Sequence, residues 1–280
     1  MHVYRYTAGE PGLYVNSYLV ELDEAVVAVD AGLLVPDAQA FRARLDALGK
    51  PLAAVLVTHA HPDHYIGVGV LVEGLDAPVH ATADVARVIA EIHEAKNAQW
   101  APVYGDAWPR DTRLPDATVG DGETLAIGGA GLRVHDLGPG ESHAASLIVV
   151  EAPDAAPVAF IGDLAYSGVH AYNADGHSAA WLAALDRAAG LLAGVDLLYP
   201  GHGEPGGREL LAAQRRYQLM LREAVRNLAA GADHLDEAAT RELTARMTSF
   251  LPGAPLEWLV GLSADPVAAE LAAEAGPAAA

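Results

Sequence analysis

The stretch Leu52-Ala53-Ala54-Val55-Leu56-Val57-Thr58-His59-Ala60-His61-Pro62-Asp63-His64 decides how the chain is read. Its first six residues form an apolar run about as long as an average strand, so the polar cluster that follows stands at a strand end. His59, His61 and Asp63 alternate at the two-residue period of extended backbone, while His64 can swing to the opposite side and serve a second centre. A single histidine is usually a surface or satisfied core residue. A compact set of imidazoles and a carboxylate is different, because burying it without a cation leaves several polar groups to satisfy.

Composition bounds the rest. The chain has 280 residues, 52% of them hydrophobic, enough for one substantial core. Lys and Arg number 17 against 37 Asp and Glu, a formal charge of −20. That field repels phosphate backbones and anionic membranes, so a small molecule rather than nucleic acid or a membrane is the expected partner. Cysteine is absent, which excludes disulfides, thiolate ligands and cysteine nucleophiles and suits a reducing cytosol. The start, Met1 to Tyr6, lacks the features of a signal peptide, and no apolar run approaches the ~20 residues of a membrane span. A cytoplasmic protein is expected.

Upstream of the cluster, His2 to Thr7, Leu13 to Glu21 and Ala25 to Asp30 read as an antiparallel meander, and Asp37 to Leu48 as a helix stopped by Gly49. Downstream, Tyr65 to Gly69 enters a short helix or turn, Pro78 to Ala81 reads as a strand and Ala83 to Lys96 as a helix. Residues 97–117 carry prolines and a glycine but no clear period, and are expected to be a long active-site loop or a broken helix pair. Its Trp100, Tyr104 and Trp108 either line an apolar substrate pocket or pin the loop to the body. Strand signals return from Thr118 to Asp163 and read as a second sheet.

The last third is mainly helical, over Ser178 to Ala193, Gly207 to Ala230, Asp236 to Phe250 and Asp265 to Ala275, with a strand at Val195 to Tyr199. Ser178 and Asp236 are the expected N-caps. Residues 206–280 thus form a helical C-terminal part, closing in a frayed tail from Gly276 to Ala280. No repeat or linker divides residues 1–280, which favours a single domain.

Further chemistry stands at later strand ends: Gly138-Pro139-Gly140-Glu141-Ser142-His143, Ile161-Gly162-Asp163 and Tyr199-Pro200-Gly201-His202-Gly203. Glycines there let backbone approach a cation closely. The order His-x-His-x-Asp-His, a lone histidine, an aspartate after Gly and a histidine in Pro-Gly-His-Gly resembles the metallo-β-lactamase superfamily, over most of the chain up to His202. The resemblance implies an α+β fold, a four-layer αββα sandwich with the metal site on one edge between two sheets. It further implies that His59, His61 and His143 hold one metal, that Asp63, His64 and His202 hold the other, and that Asp163 bridges them. Two Zn²⁺ per chain suit these donors, and iron and manganese tolerate them.

Departures from the family pattern narrow the branch. The cysteine ligand of the B1 and B2 β-lactamases is missing and Asp163 stands where the B3 type has no bridge, which disfavours antibiotic hydrolysis. The third-ligand region lacks the Gly-His-Ser/Thr-x-Gly-Ser seen in glyoxalase II-like members, and His135 is the fallback for His143. The expected function is hydrolysis of a small ester, lactone, thioester or related substrate by hydroxide between two metals, with Asp63 shuttling the proton. The alternatives are a mononuclear iron persulfide-dioxygenase-like oxidoreductase and a non-catalytic metal-binding protein. Asp30 either orients a ligand imidazole or caps a turn. Tyr65 either offers a phenol to the site or packs beneath it, and His170 either lines the mouth or is an exposed loop residue. The apolar Leu256 to Leu262 region forms either core or a homodimer contact.

Overall fold

Alternation along the strands sorts the side chains into layers. Tyr18, Val20, Val27, Val29, Ala54 and Leu56 face one core, while Leu19, Val26, Ala28 and Val55 on the same strands face another. The structure, a computed structural model, describes residues 1–275; the tail expected at 276–280 lies outside them. The first sheet has the order β1-β2-β3-β4-β5-β6, with β1 His2–Thr7, β2 Asn16–Glu21, β3 Val26–Val29, β4 Leu52–Leu56, β5 Val79–Thr82 and β6 Ala117–Val119. The second has β7 Thr124–Ile127, β8 Ala130–Gly138, β9 Ala145–Glu151, β10 Val158–Gly162 and β11 Leu197–Pro200, in the order β11-β10-β9-β8-β7.

Between the sheets lies a core in which Tyr18 meets Phe160 and Tyr199, with ring centroids 5.2 Å apart in each pair. Helices α1 (Val35–Leu48), α2 (Pro62–Tyr65), α3 (Val68–Leu71) and α4 (Ala83–Tyr104) cover the outer face of the first sheet. Helices α5 (Ser178–Leu191), α6 (Glu209–Ala229), α7 (Glu237–Phe250), α8 (Trp258–Leu262) and α9 (Ala264–Ala275) belong to the core on the outer face of the second. Four αββα layers result. No helix of the described residues is long and apolar enough to cross a membrane.

Three expectations are corrected. β6 pairs in parallel with β5 and so completes the first sheet rather than opening the second. Its three residues are too few for sequence pattern to assign, and a non-local pairing decides. The helix expected to end at Lys96 continues to Tyr104. Pro102 removes one backbone donor, but it lies in the last turn, where Trp100, Ala101 and Tyr104 pack against the first core. Gly105, at φ +57°, then ends the helix. Asp236 caps α7 by accepting from Ala239 N, as expected, whereas Ser178 follows the N-cap position and is bonded instead to Glu270 and Arg222.

Candidate metal centre

Every functional side chain sits at the same edge of the two sheets. β4 ends at Leu56 and delivers His59 and His61, while α2 turns Asp63 and His64 inward. The edges are stitched there, since both the backbone N–H and the hydroxyl of Ser146 donate to Thr58 O at 2.8 Å. Asp163 follows β10 and His202 follows β11, and Gly201 N–H donates to Gly162 O at 2.8 Å, which ties the two loops. Asn16 and Tyr18 of β2 hold the His202 loop from the other side, donating to Pro200 O at 3.0 and 2.6 Å. A Cβ at Gly201 would strike Asp163 Oδ1 and His64 Cε1, so this position admits no side chain.

The polar atoms converge in two overlapping sets. His59 Nε2 lies 3.4 Å and His61 Nδ1 2.8 Å from Glu141 Oε2. His202 Nε2 lies 3.2 Å and His64 Nε2 3.6 Å from Asp63 Oδ2. Asp163 stands between the sets: Oδ2 is 3.9 Å from His59 Nε2 and 3.3 Å from His202 Nε2, and Oδ1 is 3.5 Å from His64 Nε2. Ligands ~2.0–2.1 Å from a tetrahedral cation are separated by roughly 3.3 Å, so the spacing is that of donors around an ion. His59 Nε2, His64 Nε2 and Asp163 Oδ1 are also buried without a hydrogen-bond partner, an arrangement that costs free energy unless a cation takes them up.

The opposite ring nitrogens are all held, which fixes the direction of each imidazole. His59 Nδ1 is 3.0 Å from Thr58 Oγ1, His64 Nδ1 2.8 Å from Asp30 Oδ2, His202 Nδ1 3.0 Å from Leu13 O and His61 Nε2 3.1 Å from Asp175 Oδ2. Asp30 orients a whole corner of the site, because it also accepts from Thr58 N and Thr58 Oγ1 at 2.9 and 2.8 Å. It does so from a left-handed backbone at φ +58°, the kind of strain that collects at functional sites.

The sequence model of the metallo-beta-lactamase superfamily matches residues 11–202. The chain belongs to the metallo-beta-lactamase superfamily. Solved structures of the same fold include a metallo-beta-lactamase family protein from Thermus thermophilus, at 24% identity and TM-score 0.67, with 98% of this chain and 94% of that chain covered. A beta-lactamase domain protein from Burkholderia ambifaria follows at 22% identity and TM-score 0.66, covering 98% and 86%. The metallo-beta-lactamase FIM-1 from Pseudomonas aeruginosa, in a mono-zinc form, matches at 20% identity and TM-score 0.57, covering 78% and 89%. Among functionally curated proteins none matches.

The structure parts from the expected donor set at one place. His59, His61, Asp63, His64, Asp163 and His202 are brought together as donors of the same cluster, but His143 is not. Its side chain is half exposed, with Nδ1 against His177 Nε2 at 2.6 Å and Nε2 3.7 Å from Asp175. The loop after β8 instead turns Glu141 inward, and Glu141 completes the set with His59 and His61. A signal for it existed: Glu141 follows Pro139-Gly140 and precedes a hydroxyl residue, the setting in which the family pattern has its histidine. His135 lies on β8 beside Asp121, away from the cluster.

Electrostatics reflects this density of charge. Burial alone would lower His61, but Glu141 and Asp175 outweigh it and lift its pKa to about 10. Burial likewise opposes His202, which Asp163 and Asp63 nevertheless raise to about 9. His59 is pushed well down by burial and by His64. Burial raises Glu141 to about 7 against the pull of His61. Burial opposes ionisation of Asp163, yet His202 and His64 hold it well below the usual carboxylate range. Burial opposes His64 as well, yet Asp163, Asp63 and Asp30 raise it well above the usual imidazole range, so protons on His61, His64 and His202 are those that a bound cation must displace.

A pocket of about 450 Å³ opens onto the cluster, with Asp63, His61, Glu141, Asp163 and His202 in its lining. Trp100 and Tyr104 of α4 form one wall and Leu256, Trp258, Leu259 and Leu262 another. The remaining expected pocket residues lie elsewhere. Trp108 is buried behind Tyr104, stacked at 5.9 Å and donating from Nε1 to Asn97. Tyr65 is fully buried among the helices of the first layer, its hydroxyl 3.5 Å from His93 Nδ1. His170 is neither at the mouth nor exposed. It is buried beside the Tyr217 hydroxyl, because its loop is held to Pro255. Tyr166, which sequence reading passed over, donates its hydroxyl to Asp163 Oδ2 at 2.6 Å, sits 3.0 Å from Glu141 Oε1 and stacks on His202.

Proposed function

We propose that this chain is a hydrolase of small carbonyl substrates, an ester, lactone or thioester, working with two divalent cations, zinc by preference. His59, His61 and Glu141 would hold one, Asp63, His64 and His202 the other, and Asp163 would join both. The observation that carries the reading is the convergence of three partnerless buried donor atoms, His59 Nε2, His64 Nε2 and Asp163 Oδ1, in a cluster whose opposite ring nitrogens are all engaged. When bound, such a pair of cations supplies Lewis acidity and makes water acidic enough to furnish a nucleophile near neutral pH.

The chain's own groups supply the remainder. Asp63 turns Oδ2 to His202 and His64 and lines the pocket, leaving its second oxygen to take up a proton and pass it to the leaving group. The Tyr166 hydroxyl, also in the lining, donates to Asp163 Oδ2 and holds that carboxylate toward both halves of the cluster. Leu and Trp side chains of the walls exclude water from the reacting centre. Absence of cysteine fits action in a reducing cytosol.

Glu141 gives each half of the cluster two imidazoles and one carboxylate, a donor set that non-haem iron also accepts. Metal analysis separates the readings. Protein isolated without added metal, then assayed on an ester, lactone and thioester panel with and without chelator, should contain two zinc per chain and lose turnover on chelation. One iron per chain with oxygen consumption would favour the oxygenase reading.

A further inference from the structure

The pocket lining contains a single charged side chain outside the metal cluster. Leu33, Gln99, Trp100, Tyr104, Tyr172 and the wall formed by Trp258 and its leucine neighbours are uncharged, and Lys96 is the exception. The chain carries only two lysines against 37 acidic residues, so a cation left in an apolar pocket is not a sample of the average surface. Lys50, the other lysine, is neutralised by Glu21 at 2.9 Å. Lys96 makes no ion pair among the described residues. The acid whose charge it feels, Asp175, has both oxygens engaged, Oδ2 with His61 and Oδ1 with the Tyr172 hydroxyl. Lys96, Gln99 or Trp100, and Tyr104 succeed one another at helical spacing along α4, so ammonium and apolar wall share one face.

We propose that Lys96 receives a carboxylate of the substrate, so that the substrate class is an apolar acyl compound bearing a free carboxylate besides its scissile carbonyl. This rests on the hydrolase reading of the same site. The apolar walls take the hydrocarbon and the ammonium takes the anion, which would otherwise meet a strongly acidic protein. A hydrogen-bonded charge pair of this kind gives a preference on the order of tenfold over a neutral chain, and it shrinks as salt rises.

The test uses the metal-loaded protein with 4-nitrophenyl octanoate, the mono-4-nitrophenyl ester of octanedioate and the 4-nitrophenyl ester of 8-aminooctanoate. The dioate ester should exceed the octanoate in kcat/KM about tenfold. That ratio should fall to near one in Lys96→Met, persist in Lys96→Arg, and give way to preference for the ammonium ester in Lys96→Glu. A wild-type ratio near one, or a preference surviving Lys96→Met, overturns the proposal while leaving the hydrolase reading intact. Calorimetric binding of octanedioate against octanoate separates the two in the other direction. Tighter, Lys96-dependent binding without turnover of any ester keeps the carboxylate site and removes the hydrolase, and equal or absent binding of the two acids removes the carboxylate site.

Discussion

Asp30→Asn tests how the second half of the metal cluster is held. Asn tolerates the left-handed backbone that Asp30 adopts at φ +58°, so the turn itself is kept. The amide oxygen can still accept from Thr58 N, now 2.9 Å from Asp30 Oδ1. What changes is the other atom, which lies 2.8 Å from both Thr58 Oγ1 and His64 Nδ1. An NH₂ there faces the His64 Nδ1–H donor to donor, so the imidazole must rotate away or move its proton to Nε2, the nitrogen turned toward Asp63 and Asp163. Losing a hydrogen bond to a charged group costs roughly 1.5–3 kcal/mol, about 10–100-fold in affinity, which matches the usual cost of removing a ligand's supporting carboxylate. Competitive zinc titration against a chromophoric chelator should show one equivalent weakened by about that factor and the other changed by less than about threefold. Two unweakened equivalents would refute the claim that Asp30 holds His64 for coordination.

Further outcomes follow from neighbouring residues. In metal-free protein His61 and His202 are lifted from 6.5 to about 10 and 9, so the stabilisation that their protonation contributes is lost as pH rises from 6.5 through those values. Its melting temperature should therefore fall between pH 7 and 10, and a rise over that range would contradict the assignment. Tyr166→Phe removes the hydroxyl that orients Asp163 and should lower zinc affinity, read by competitive titration, about 10–100-fold. Gly201→Ala places a methyl group against Asp163 and His64. It should lower bound metal and cost about 1–3 kcal/mol in chemical denaturation, and a variant with full metal content would show that the loop has room.

Sequence exposes what is local. His59 to His64 close within six positions at a strand end, and Asp163 and His202 stand in glycine frames, so six side chains that meet in space could be read from one dimension. Glu141 could not be read the same way, being one of 37 acids with a more conspicuous histidine two residues on. The choice between them depends on which way a loop after β8 turns, a tertiary matter. The same holds for β6, whose sheet is set by pairing with β5, and for the end of α4, where packing of Trp100 and Tyr104 overrides Pro102. The pocket walls come from segments more than 150 residues apart, Trp100 and Trp258, and no local pattern announces them.

The donor set is tested most directly by counting metal in three proteins: the wild type, Glu141→Gln and His143→Gln, each loaded with zinc, desalted and measured by elemental analysis. Two zinc per chain are predicted in the wild type and in His143→Gln, and one in Glu141→Gln. Loss of a zinc on changing His143, with both retained on changing Glu141, would contradict the account.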